Sequence, residues 1–145
     1  MADTGIPMRA DQIDTFLAEV RHAIAGVIRS DGAPQLSPVW ILYENGQIFF
    51  SVLADSAKAR QLARDPRISL CVDAGHPDGR AVMIRGSAEI IREKSEWSED
   101  LSWRINRRYL ESDEATRRFL DENQWEGASV LVVVSPDTII GRDFN

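Results

Sequence analysis

The sequence holds a single cysteine, Cys71. One thiol excludes an internal disulfide and a zinc site built from cysteine alone. Its alternation with Leu70 and Val72 reads as a buried, inert thiol in a strand. Two histidines, His22 and His76, leave little material for nucleophile–base chemistry. There is no G-x-S-x-G elbow, no H-E-x-x-H pair, no P-loop and no G-x-G-x-x-G turn. No apolar run approaches the ~18–20 residues that span a bilayer. The opening residues MADTGIPMRA lack the apolar stretch of a secretory leader, so the expected location is the cytoplasm. Positive charge is short too, with 17 Lys+Arg against 23 Asp+Glu and a net charge of −6. Duplex nucleic acid is bound mainly by neutralising phosphates, and anionic membranes attract basic segments. The sequence therefore predicts neither partner.

What remains is ordinary globular material: 145 residues, 43% hydrophobic and 28% charged. A chain of this size buries roughly 68–70% of its unfolded surface and needs no staples. The expectation is one domain over 1–145, with its core at about 11–144. The charge is unevenly spread. Residues 1–55 are net −4, residues 56–92 net +3, and residues 93–126 net −4. A basic segment thus lies between acidic neighbours.

Periodicity supplies the elements. Ile13, Phe16, Leu17 and Val20 form one helical face over 11–21, with Asp11 as the expected N-cap. HAIAGVIRS (22–30), QLSPVWILY (35–43) and QIFFSVL (47–53) read as strands. Asp31-Gly32 and Asn45-Gly46 join them as hairpin turns. Ser56 caps a short helix that Pro66 ends, with Ala59, Leu62 and Ala63 on its apolar side. Strands follow at 67–74 and 81–91, around loop 73–80. Helices follow at 93–110 and from Ser112 to about Gln124, the second with Ala115, Phe119 and Leu120 inward. A near-continuous apolar strand runs over 128–135, bends at Pro136-Asp137 and continues extended over 138–144. Six strands in hairpins with peripheral helices predict a mainly β protein built as a small antiparallel barrel.

Two stretches could carry chemistry. Ser56-Ala57-Lys58-Ala59-Arg60 places a cation in the first helical turn, where it opposes the positive end of the macrodipole. An anion between them resolves that conflict, and free N–H groups, the Ser56 hydroxyl and Lys58 would cradle it. A solvated basic face is the other reading. Ser37-Pro38-Val39-Trp40 is the second stretch. A strand proline belongs at an edge or a bulge, where backbone groups are free for a ligand. Trp40 then serves either as an aromatic wall or as core. Trp103 suits a subunit contact or a site lid, the contact being preferred.

Four motifs in order carry a resemblance over about 16–144. They are D-G-x-P-x-x-x-P-V-W (31–40), S-x-K-x-R-x-L-x-R-D-P (56–66), AVMIRGSAEI (81–90) and VLVVVSPDTIIGRDF (130–144). Together they resemble the flavin-binding split-barrel superfamily, and within it the pyridoxamine-5′-phosphate-oxidase-like, deazaflavin (coenzyme F420)-dependent oxidoreductases. The resemblance implies a six-stranded FMN-binding-type split barrel that dimerises and binds cofactor at the subunit interface. It implies that Ser56 and Lys58 hold the cofactor phosphate, with Arg60 and Gln61 nearby. It implies that the ring lies against Ser37, Pro38, Val39 and Trp40, with Ser51 and Val52 on the next strand. No protein acid or base and no metal is implied. Ala57 stands where the phosphate-oxidase branch has a second basic residue, and Arg142 where it has a tryptophan. These departures point away from pyridoxamine phosphate oxidation. Arg60 and Arg64, one helical turn apart, suit the longer anionic tail of F420. The expected function is hydride transfer between F420 and a small electrophilic molecule. FMN is the alternative cofactor. A non-catalytic flavin- or haem-binding module, with His22 and His76 as the available haem ligands, and a ligand-free structural dimer are the other readings.

Overall fold

The computed structural model describes residues 5–123 and 129–145. The order is β1 (Ile6–Pro7), α1 (Ala10–Ala18), β2 (His22–Ile28), β3 (Pro34–Trp40), β4 (Leu42–Glu44), β5 (Gln47–Leu53), α2 (Ala57–Arg64), β6 (Arg67–Asp73), β7 (Arg80–Ile91), α3 (Glu96–Tyr109), α4 (Asp113–Glu122) and β8 (Ser129–Asp143). Seven strands form one antiparallel sheet in the order β3-β2-β6-β7-β8-β5-β4, and β1 adds to β8.

Closure comes from one chain segment. The stretch expected as a single strand over 35–43 is two strands, β3 and β4, that break at Ile41. The first half pairs with β2 and the second with β5, so one run of chain joins the two ends of the sheet. That break and the short β1 raise the expected six strands to eight among the described residues. The β4–β5 turn behaves as its sequence demands: Asn45 and Gly46 have φ of 52° and 75°, the left-handed pair of a tight hairpin.

Strand alternation builds the barrel interior. Ala23, Ala25 and Val27 of β2, Ile68, Leu70 and Val72 of β6, and Val82, Ile84 and Ala88 of β7 all point inward. Cys71 is corrected by the same alternation: its inward neighbours put its own side chain on the outer face, and it is exposed. The first part of β8, Val130–Val134, is buried on both faces, which explains its unbroken apolar run. Val130, Val132 and Val134 enter the barrel, while Leu131 and Val133 pack under α3 with Leu42, Phe49, Leu101 and Ile105.

The expected bend at Pro136-Asp137 is instead a bulge within one long strand. Gly86 pairs with Pro136 and Arg85 with Thr138, leaving Asp137 unpaired. Gly86 is required there, because a Cβ would sit 2.2 Å from the Ser135 carbonyl oxygen. Two helix starts follow the sequence and one does not. Ser56 accepts from Ala59 N–H at 3.1 Å, and Ser112 accepts from Ala115 N–H at 3.0 Å. Asp11 lies inside the first turn of α1, and Arg9 is the cap residue, its N–H donating to Gln12 Oε1 at 2.8 Å. Ala63 is exposed and Val20 lies beyond α1. In α4, Thr116 is the buried residue, with Ala115, Phe119 and Leu120 half-buried. Gln124 and Ala128, expected in a helix end and a strand, lie outside the described residues. No helix among the described residues is long and apolar enough to cross a membrane.

Candidate functional site

The basic segment and the proline strand converge. β3 is a terminal strand, so its edge away from β2 has no strand partner among the described residues, and Pro38 sits in it as an edge proline should. Beside that edge lies a cavity of about 450 Å³, lined by Pro38, Val39, Trp40, Ser51, Lys58 and Asn106, with His22, Ile105 and Phe119 completing it. A second cavity of about 350 Å³ shares Ser51, Asn106 and Phe119 with it. This one is richer in polar groups, including Lys94, Ser102 and Asn123, and Val52 and Leu53 form part of its wall. The two are lobes of one groove between the barrel and helices α3 and α4.

Trp40 forms the aromatic wall. Tyr109 stacks on it with centroids 4.9 Å apart, and Phe119 leans against it at 5.6 Å. His22, the cross-strand neighbour of Trp40, is also parallel to Tyr109 at 5.8 Å. The Tyr109 hydroxyl accepts from Ile41 N–H at 3.0 Å and donates to the Arg21 carbonyl at 2.5 Å. It thereby satisfies the backbone at the strand break beside Trp40.

Lys58 supplies the charge. It lies in the first turn of α2 and is half-buried, its Nζ 6.0 Å from the Phe50 ring centroid. Burial lowers its pKa, and no carboxylate among the described residues offsets that effect. Cation, helix N-terminus and partial burial therefore meet with no anion from the described residues. The fit to an anionic aromatic cofactor rests on this lysine, the Trp40 wall and the free edge of β3.

The other expected residues are less central. The Ser56 hydroxyl caps α2. The Arg60 guanidinium donates to the Asp55 carbonyl, and Arg64 donates to the Ile28 carbonyl and to Gln61 Oε1. None of Ser56, Arg60, Gln61 or Arg64 lines either lobe, and Ser37 is half-buried just outside them. Trp103 is half-buried, with the Arg117 guanidinium 5.9 Å from its ring. Arg142 pairs in the sheet opposite Ala81 and Pro7. His76 is exposed in its loop, far in sequence from the groove-lining His22. No group of three His, Cys, Asp or Glu among the described residues is placed to hold a metal ion.

Sequence reading missed Asn106, Ser102 and Lys94. A signal existed: Ser98, Ser102 and Asn106 repeat at four-residue steps beside the apolar Leu101–Ile105 stripe. Polar residues next to a core-facing stripe mark a helix that packs against something polar.

The pyridoxamine 5′-phosphate oxidase family model matches residues 10–142. The chain belongs to this family. Its relatives include solved split barrels. A conserved hypothetical protein from Mycobacterium tuberculosis is 27% identical, with a TM-score of 0.81 over 100% of this chain and 90% of that one. An F420 reductase is 20% identical, with a TM-score of 0.67 over 87% of this chain and 94% of that one. A FAD-binding protein from Mesorhizobium loti is 17% identical, with a TM-score of 0.71 over 94% of this chain and 93% of that one. No curated protein sequence matches the chain. The family is one of flavin-binding oxidoreductases, and the fold is its split barrel.

Proposed function

We propose that this member is an F420-dependent reductase of the cytoplasm, acting on a small electrophilic organic molecule. The observation that carries the reading is Lys58: a half-buried ammonium with no carboxylate partner among the described residues, beside the Trp40 wall. Lys58 and the α2 N-terminus hold the cofactor phosphate, with Ser56, Arg60 and Gln61 around it. Pro38, Val39 and Trp40 support the ring from one side, next to Ser37. Ser51 and Val52 approach it from β5. When bound, the cofactor supplies hydride transfer, and the protein supplies orientation, water exclusion and charge balance. The likeness to an F420 reductase supports this choice of cofactor.

FMN is the second reading, and one observation favours it. Arg60 and Arg64, which suit a long anionic tail, donate to backbone carbonyls of this chain. Titration with F420 and with FMN decides between them. Tighter binding of F420 supports the first reading and tighter binding of FMN the second. Affinity weaker than about 100 μM for both overturns the flavin-site reading altogether.

The cofactor sites lie at the interface of a homodimer. An apolar row crosses the outer barrel face: Pro38 pairs with Ile24, Ile24 with Cys71, Cys71 with Met83, and Met83 with Ile140. Beside the row, Leu36 is 68% exposed. An exposed apolar band of this kind suits a self-complementary subunit contact. Pro38 belongs both to this row and to the groove, so the contact reaches the site.

A further inference from the structure

Asn106 is buried on α3, yet it opens on both lobes of the groove. Its Nδ2 donates to the Ser102 carbonyl at 2.7 Å, one helical turn back. That bond fixes which way the amide faces, because only the nitrogen can donate. No described residue donates to Oδ1, and this oxygen is not one of the fully enclosed, unsatisfied atoms. A carbonyl oxygen held in a site with only 8% of its residue exposed asks for a donor from whatever enters the groove.

The neighbours narrow the class of donor. Ser51 and Ser102 line the same lobe as Asn106, and each hydroxyl can donate. One acceptor with two donors complements a cyclic imide, whose N–H lies between two carbonyl oxygens. The adjoining aromatic lobe is walled by Trp40 and Phe119, which suits the flat ring that bears such an edge. We propose that Asn106 Oδ1 accepts the imide N–H of a pyrimidinedione ring, with Ser51 and Ser102 donating to the flanking carbonyls. The assignment rests on the flavin-site reading above, since flavins and 5-deazaflavins share that edge. It makes Asn106 the residue that sets ring orientation in the groove.

The test compares F420 or FMN, whichever the wild type binds more tightly, with its N3-methyl derivative. Methylation removes the imide donor and leaves the rest of the ring. The wild type is expected to bind the methyl derivative about tenfold more weakly, the size of one good hydrogen bond in a buried site. In Asn106→Leu the parent cofactor weakens about tenfold, and the two ligands bind alike. Far-ultraviolet circular dichroism checks the fold, and Asn106→Ala serves if the leucine variant does not fold. Equal affinity of wild type for the two ligands overturns the assignment. So does a variant that retains the wild-type preference, or one that loses affinity equally for both ligands. Failure of the wild type to bind either parent cofactor overturns the flavin-site reading and this inference with it.

Discussion

Tyr109 lies flat against Trp40, its ring planes within 4° and its hydroxyl bonded to the backbone one residue further on, at Ile41. One side chain from α3 therefore fixes both the aromatic wall and the strand break that closes the barrel. Ile41 itself is only 1% exposed, so its N–H has no access to water as a substitute partner. Tyr109→Phe keeps the stack and removes the acceptor. The expected loss is about 1–3 kcal/mol of folding free energy, the cost of stranding a buried donor. Urea denaturation measures it, and unchanged stability contradicts the role given to the hydroxyl.

The proposed anchor role of Lys58 and its effect on stability run in opposite directions. Burial lowers its pKa, so the unfolded chain keeps this proton to higher pH than the folded chain does. Folding is then disfavoured while the folded lysine is charged, and the handicap fades as pH rises past its folded pKa. Lys58→Met removes the handicap. The cofactor-free variant is expected to melt no lower than wild type at pH 7, with the difference narrowing in alkaline buffer. Thermal melts across pH check the sign, and a destabilised variant at pH 7 contradicts it.

The barrel elements were legible wherever burial follows a simple period. α1, α2 and the alternating strands β2 and β6 stand close to their expected places. The break at Ile41 within the expected 35–43 strand was not legible, because both halves are apolar and the partner that stabilises the break, Tyr109, is 68 residues away from Ile41. Cys71 was misplaced because apolar runs report strand burial but not which face a given residue takes. Of the proposed site, Lys58 and the Pro38–Trp40 stretch stand out through local rules on helix charge and strand proline. Asn106 was not, since its significance depends on α3 crossing the groove, a tertiary fact.

Gly86 answers for the bulge in β8. A Cβ at this position meets the Ser135 carbonyl oxygen at 2.2 Å, and backbone cannot step aside as a flexible side chain can. Gly86→Ala is expected to destabilise the fold by about 1–3 kcal/mol through overpacking. Gly32→Ala is no control, because its φ of 86° adds strain of its own. An exposed substitution such as Glu89→Ala provides the comparison, and equal stabilities contradict the close approach.

The apolar row predicts subunit association. Met83 stands between Cys71 and Ile140 on the outer face, so Met83→Glu places a charge in the middle of the proposed contact. Sedimentation velocity is expected to show a dimer for wild type and a monomer for the variant. A monomeric wild type, or a variant that dimerises as well as wild type, contradicts this interface.

Equilibrium titration of wild type and Lys58→Ala with F420 and with FMN decides whether Lys58 anchors an anionic flavin-type cofactor. Wild type is expected to bind one of the two below about 100 μM, and the variant to bind the same cofactor at least about tenfold more weakly. Equal affinity in the two proteins would contradict the anchor.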